Sequence, residues 1–91
     1  MEHLKAEDLA KRVRTFVVDN FLFGEDRPAL RAETSFVESG IIDSTGVLEL
    51  VGFLEEAFGI EVADDEMTLA NLDSIASVAR FVARKTGAEP Q

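Results

Sequence analysis

Residues 38–62 read "ESGIIDSTGVLELVGFLEEAFGIEV". An apolar pair, Ile41-Ile42, gives way to the small polar group Asp43-Ser44-Thr45-Gly46. From Val47 onward the apolar residues Val47, Leu50, Val51, Leu54 and Phe58 fall at i, i+3, i+4, i+7 and i+11, the period of an amphipathic helix. Glu49, Gly52, Glu55 and Glu56 occupy its other faces, and Gly59 is placed to end it. Either Asp43 or Ser44 can be the N-cap, a role that contributes about 1 kcal/mol. Gly46 is harder to account for. In a first helical turn glycine costs up to about 1 kcal/mol relative to alanine, so something is expected to come close to it.

Working outward, "HLKAEDLAKRVRTFVVDNFLF" (residues 3–23) sets Leu9, Val13, Phe16, Val17 and Phe21 on one helical face, with an end expected near Phe23-Gly24 and a break confirmed at Pro28. Residues 24–43 form a long connection whose apolar anchors are Leu30, Phe36, Val37, Ile41 and Ile42; a compact domain keeps such a loop when it packs or has a task. Within it, Ser35-x-x-Glu38 is a weak capping signal for a short turn. Beyond Gly59, "EMTLANL" with Met67, Leu69 and Leu72 predicts one or two helical turns. Asp73-Ser74 reads as the cap of a last helix with Ile75, Val78, Ala79 and Val82 inward and Arg80, Arg84 and Lys85 outward. Gly87 stops that helix and "AEPQ" reads as a frayed tail. No strand pattern and no internal repeat is visible. The expectation is one all-α domain over residues 1–91 with an ordered core of about 4–86: a four-helix bundle of three main helices and one short one, with a long first loop.

Composition limits the chemistry. The chain has 91 residues and no cysteine, which excludes disulfide staples, Cys-ligated metal and a protein thiol nucleophile; any thiol chemistry has to arrive on a cofactor. No apolar run approaches the roughly 18 residues needed to span a bilayer, so a cytoplasmic protein is expected. Net charge is −9, which opposes binding to nucleic acid or anionic membrane and favours basic protein partners. Between Arg31 and Arg80 no Lys or Arg occurs, while Glu33, Glu38, Asp43, Glu49, Glu55, Glu56, Glu61, Asp64, Asp65, Glu66 and Asp73 do. An acidic run is commonly no more than a solvated surface, but this one surrounds Ser44.

Catalysis by the chain alone has little to stand on. A nucleophilic serine needs a base, the one histidine is His3 at the N-terminus, and no G-x-S-x-G elbow surrounds Ser44. The acidic pair Asp64-Asp65 does not fit a calcium loop, and the six glycines are scattered rather than gathered before a Lys-Ser or Lys-Thr pair. No metal site and no catalytic residue are expected.

The stretch "GIIDSTGVLELVGFLEEAFGIEV" resembles the modification site and recognition helix of the acyl carrier protein family, which commonly reads G-x-D-S, then E-L, then V-x-x-L-E-E-x-F. Gly40, Asp43, Ser44, Glu49, Leu50, Val51, Leu54, Glu55, Glu56 and Phe58 match in register, and the likeness extends over roughly residues 34–83. The resemblance implies that Ser44 carries 4′-phosphopantetheine, transferred from coenzyme A by a phosphopantetheinyl transferase. Acyl or aminoacyl cargo would ride as a thioester on the arm's terminal thiol, which accounts for a carrier without cysteine. It also implies that Asp43, Thr45, Val47, Glu49, Glu55 and Glu56 contribute to recognition by the transferase, by an acyl- or aminoacyl-loading ligase and by downstream enzymes with basic docking surfaces. A core role for Val47 is an equal alternative. The protein is expected to be a monomer.

Fatty-acid-synthesis members usually carry leucine or methionine after the serine, whereas Thr45-Gly46 stand here. The surface beside the arm is therefore expected to be smaller and less apolar, and the chain is similar to discrete, specialised carriers rather than the housekeeping one. A rival reading of the same residues is an unmodified acidic carrier-like interaction subunit of a basic enzyme.

Overall fold

A computed structural model describes residues 6–25, 27 and 30–87. The expectations for His3, for the core's start at residue 4, for Pro28 and for the tail 88–91 lie outside the described residues. Helix α1 spans Ala6–Phe21, with Glu7 and Asp8 in its first turn, where the helix dipole favours negative charge. Leu9, Val13 and Val17 are fully buried, as their spacing predicts, while Phe16 and Phe21 are half-buried at the edge of the core. Val18 and Leu22 are buried as well, widening the stripe. The helix closes where expected: beyond Phe21, Phe23 has φ +56° and Gly24 φ +81°, and the Gly24 N–H returns to the Val18 carbonyl at 2.9 Å.

Three short elements and two long helices follow. Helix α2 (Phe36–Ser39) lies inside the long connection; α3 spans Ser44–Phe58; a 3-10 turn covers Asp64–Glu66; α4 is Leu69–Leu72; and α5 runs Ile75–Thr86. Three main helices are therefore present, and the loop holds a one-turn helix of its own beyond the single short helix expected. The described residues contain no strand.

Helix α5 organises the packing, lying against α1, α3 and α4. Its inward residues include Ile75, Val78, Ala79 and Val82 as expected, with Phe81 and Ala83 in addition. From α3, Leu50, Val51 and Leu54 enter the same core, and the loop sends down Leu30, Phe36 and Ile42. Each such side chain contributes about 1.5–3 kcal/mol by burial. Val37 departs from expectation: instead of anchoring the loop it is 44% exposed. Helix packing leaves an aromatic seam between α1 and α3, where Phe16 stacks on Phe53 with centroids 4.2 Å apart and Arg12 lies 4.7 Å from the centre of the Phe58 ring.

Candidate functional site around Ser44

The start of α3 is fixed by its neighbours. Asp43 is the N-cap: its Oδ1 accepts the Gly46 N–H at 2.8 Å, and its carbonyl accepts the Val47 N–H at 3.0 Å. Ser44 is thus the first helical residue. It is exposed, and its hydroxyl makes no hydrogen bond within the described residues. Of the two cap candidates, only Asp43 does the capping, which leaves the serine oxygen without a structural duty.

Gly46 is buried, and the body that comes close to it is internal. A Cβ there would meet Ile42 Cγ2 at 2.8 Å and Phe21 Cε1 at 2.9 Å. Glycine lets Ile42 and the end of α1 press against the first turn of α3 just behind Ser44. The expected small, weakly apolar surface beside the serine is corrected accordingly: Gly46 belongs to the interior, and other residues supply the surface.

That surface is an apolar cleft of about 380 Å³ running from Ser44 between α2, α3 and α4, with Phe36, Val37, Val47, Leu48, Met67 and Leu72 among its walls. Leu48 and Leu69 at its rim are 61% and 60% exposed. Val47 is half-buried and lines the cleft, so it serves packing and surface together. Val37 and Leu69 gave no sequence signal for this placement, because a one-turn helix has no period by which to assign a face.

The remaining candidates divide by environment. Thr45, Glu49 and Glu56 are exposed, and at spacings of i, i+4 and i+11 they share one stripe of α3. Glu55 is half-buried and its Oε2 accepts the Val62 N–H at 2.9 Å, tying the chain after Gly59 back to α3. Sequence reading missed Asp73 altogether as more than a cap. Ser74 is the cap of α5, accepting the Ser77 N–H at 3.1 Å. Asp73 instead reaches across to α2, where Oδ1 accepts the Val37 N–H at 3.0 Å, Oδ2 accepts the Ser35 hydroxyl, and its carbonyl accepts the Phe36 N–H at 2.7 Å.

Behind α4, Glu66 closes the 3-10 turn. Its Oε1 accepts the Ala63 N–H at 2.9 Å and it pairs with Lys85 Nζ at 2.9 Å. The Ala63 N–H first and the Lys85 ammonium second hold its carboxyl below the usual glutamate range. Among the described residues no cluster of three or more His, Cys, Asp or Glu side chains is arranged to hold a metal. No described helix is long and apolar enough to cross a membrane.

The Ser44 hydroxyl is thus exposed at a helix start and opens onto an apolar cleft, accessible to a modifying enzyme. Residues 22–82 match the family model described as the phosphopantetheine attachment site. The chain is 33% identical over 79 residues to the acyl carrier protein of Akkermansia muciniphila, an alignment covering 87% of this chain and 94% of that protein. It is 38% identical over 58 residues to the acyl carrier protein of Sinorhizobium fredii and equally to acyl carrier protein AcpP of Rhizobium meliloti, covering 64% of this chain and 72% of each relative. The chain belongs to the acyl carrier protein family.

Acyl carrier proteins are carriers rather than catalysts and work with partner biosynthetic enzymes; their cofactor is 4′-phosphopantetheine. The residues around Ser44 suit that group. The hydroxyl makes no hydrogen bond among the described residues, and the cleft beside it has apolar walls.

Proposed function

We propose that Ser44 is the attachment point of 4′-phosphopantetheine, and that the protein holds a biosynthetic intermediate there and presents it to partner enzymes. One observation carries the reading: the capping duty at the head of α3 falls on Asp43, and the Ser44 hydroxyl is left exposed and, among the described residues, unbonded. When bound, the group supplies a terminal thiol on a flexible arm, on which acyl or aminoacyl cargo rides as a thioester.

The chain's own part is to present and to orient. Asp43 keeps the first turn of α3 formed, so that Ser44 Oγ points outward in a defined frame and the positive end of the helix lies near an incoming phosphate. Glu49 and Glu56, with Thr45 between them and the serine, form the stripe that basic residues of a transferase or a loading ligase would meet. Such charges act more on encounter rate and orientation than on affinity. Asp43 and Glu55 join this recognition through the oxygens not used for capping and for Val62, and Val47 through its share of the cleft wall. Because a tether raises local concentration, a monomeric cytoplasmic carrier can serve several enzymes in turn. Thr45, which stands where fatty-acid-synthesis members usually carry leucine, supports a discrete, specialised carrier over the housekeeping fatty-acid one.

The test is intact mass. Incubation with coenzyme A and a broad-specificity phosphopantetheinyl transferase is expected to add one phosphopantetheine to the wild-type protein and none to Ser44→Ala. No gain on the wild type would instead favour an unmodified interaction subunit, whose partner complex would be indifferent to Ser44→Ala.

A further inference from the structure

The residues at the rim of the cleft come from separate elements: Val37 from α2, Leu48 from α3 and Leu69 from α4. All three are exposed and share one cleft with Ser44. Leu48 sits on a long helix, four residues from Ser44, so its place relative to the serine is fixed by helix geometry. Helix α4 continues almost directly into α5, which the core holds. Helix α2 has no long helix behind it and enters the core through Phe36 alone. It is four residues long within the long connection, and a helix of that length is not stable by itself.

Besides the burial of Phe36, it is held by complete satisfaction of its first-turn donors. The Phe36 N–H goes to the Asp73 carbonyl, the Val37 N–H to Asp73 Oδ1, the Glu38 N–H to Ser35 Oγ at 3.0 Å and the Ser39 N–H to the Ser35 carbonyl at 3.0 Å. The Ser35 hydroxyl that accepts from Glu38 donates its own proton to Asp73 Oδ2. Both carboxylate oxygens and the carbonyl of one residue at the α4–α5 junction are thus spent on α2. The tie is reinforced nearby, where the Ala76 N–H of α5 reaches the Ala32 carbonyl at 2.8 Å. After α2, Gly40 turns the chain at φ +78°, Ile42 plugs the core, and Asp43 caps α3.

We propose that Asp73 is a positioning residue for the chemistry at Ser44: by pinning α2 to the α4–α5 junction it sets Val37 against Leu69 and so fixes the frame in which an enzyme reads the serine. The inference rests on the reading of Ser44 as the modified residue. Asp73 touches no reacting atom. It works through hydrogen-bond geometry rather than as a docking charge, since both its oxygens are committed internally.

The experiment measures transferase kinetics with coenzyme A on Asp73→Asn, Asp73→Ala, Ser35→Ala and, as a destabilised control far from the cleft, Val13→Ala. Asparagine can still accept from Val37 and can donate to Ser35 Oγ, so Asp73→Asn is expected to keep the wild-type KM. Asp73→Ala is expected to raise KM about three- to tenfold with kcat nearly unchanged, the scale of one or two lost net hydrogen bonds. Hydrogen exchange at the Val37 and Phe36 amides should speed up in Asp73→Ala and not in Val13→Ala. Should Asp73→Ala fail to fold, Ser35→Ala takes its place, with a smaller rise in KM. An Asp73→Asn variant as impaired as Asp73→Ala would make Asp73 a docking charge and overturn the proposal. A Val13→Ala variant with the same rise in KM would reduce the effect to general destabilisation and overturn it too. If the wild-type protein takes up no phosphopantetheine, the reading of Ser44 itself fails, while the amide exchange still decides whether Asp73 pins α2.

Discussion

Ile42 lies against the backbone of Gly46 so closely that a Cβ on the glycine would stand 2.8 Å from Ile42 Cγ2. Ile42 is buried and its Cγ2 is attached directly to Cβ, so it cannot yield freely, whereas the half-buried Phe21 ring at 2.9 Å has more room to shift. Two effects compete in Gly46→Ala. Better helix propensity contributes up to about 1 kcal/mol, and overpacking costs about 1–3 kcal/mol. The steric term wins, and chemical denaturation should show Gly46→Ala less stable by about 1 kcal/mol or more; a more stable variant would contradict the close approach.

Capping and recognition separate at Asp43. Asp43→Ala removes the acceptor of the Gly46 N–H and is expected to cost about 1 kcal/mol, whereas Asp43→Asn, an equally good cap, should keep the melting temperature. Because Asn lacks the charge, any loss of transferase activity in Asp43→Asn at unchanged stability measures the recognition role alone. A destabilised Asp43→Asn would show that the charge, and not the cap, holds the helix start.

Much of this architecture is written in the sequence, for reasons that differ by element. Leu50, Val51 and Leu54 in α3 and Val78 and Val82 in α5 are buried as their period predicts, because a long helix repeats its signal. Helix α2 is faint: four residues have no period, and two of its first-turn donors are met by Asp73, far away in the chain. Gly46 was legible as an anomaly but not as an internal contact, since a missing side chain does not say which neighbour fills its place. The cleft was illegible for the same reason as α2, its rim being assembled from Val37, Leu48 and Leu69 on three elements.

Glu66 makes the clasp behind α4 sensitive to acid. Its folded carboxyl titrates below the usual glutamate range, held there by the Ala63 N–H and then by Lys85, so the folded state binds the proton less readily than the unfolded chain does. The contribution is complete above the ordinary glutamate range and disappears as pH falls through the lowered folded value. Glu66→Gln should therefore melt below wild type at neutral pH, with the gap closing as the solution is acidified. A gap that is constant with pH would contradict the clasp.

The acidic middle of the chain makes a prediction about salt. Eleven acids from Glu33 to Asp73, with no Lys or Arg interspersed, repel one another at low ionic strength. Thermal unfolding should shift upward between low and moderate ionic strength, as the Debye length falls to about 10 Å at 0.1 M. A flat melting temperature over that range would mean the repulsion is already relieved within the fold.

The arm is assigned to the Ser44 oxygen, and Thr45 next to it offers a second exposed hydroxyl. Fragmentation mass spectrometry of the transferase-treated protein distinguishes them. The phosphodiester is expected on Ser44, with Thr45→Val modified normally and Ser44→Ala not at all. Modification located on Thr45, or persisting in Ser44→Ala, would contradict that assignment.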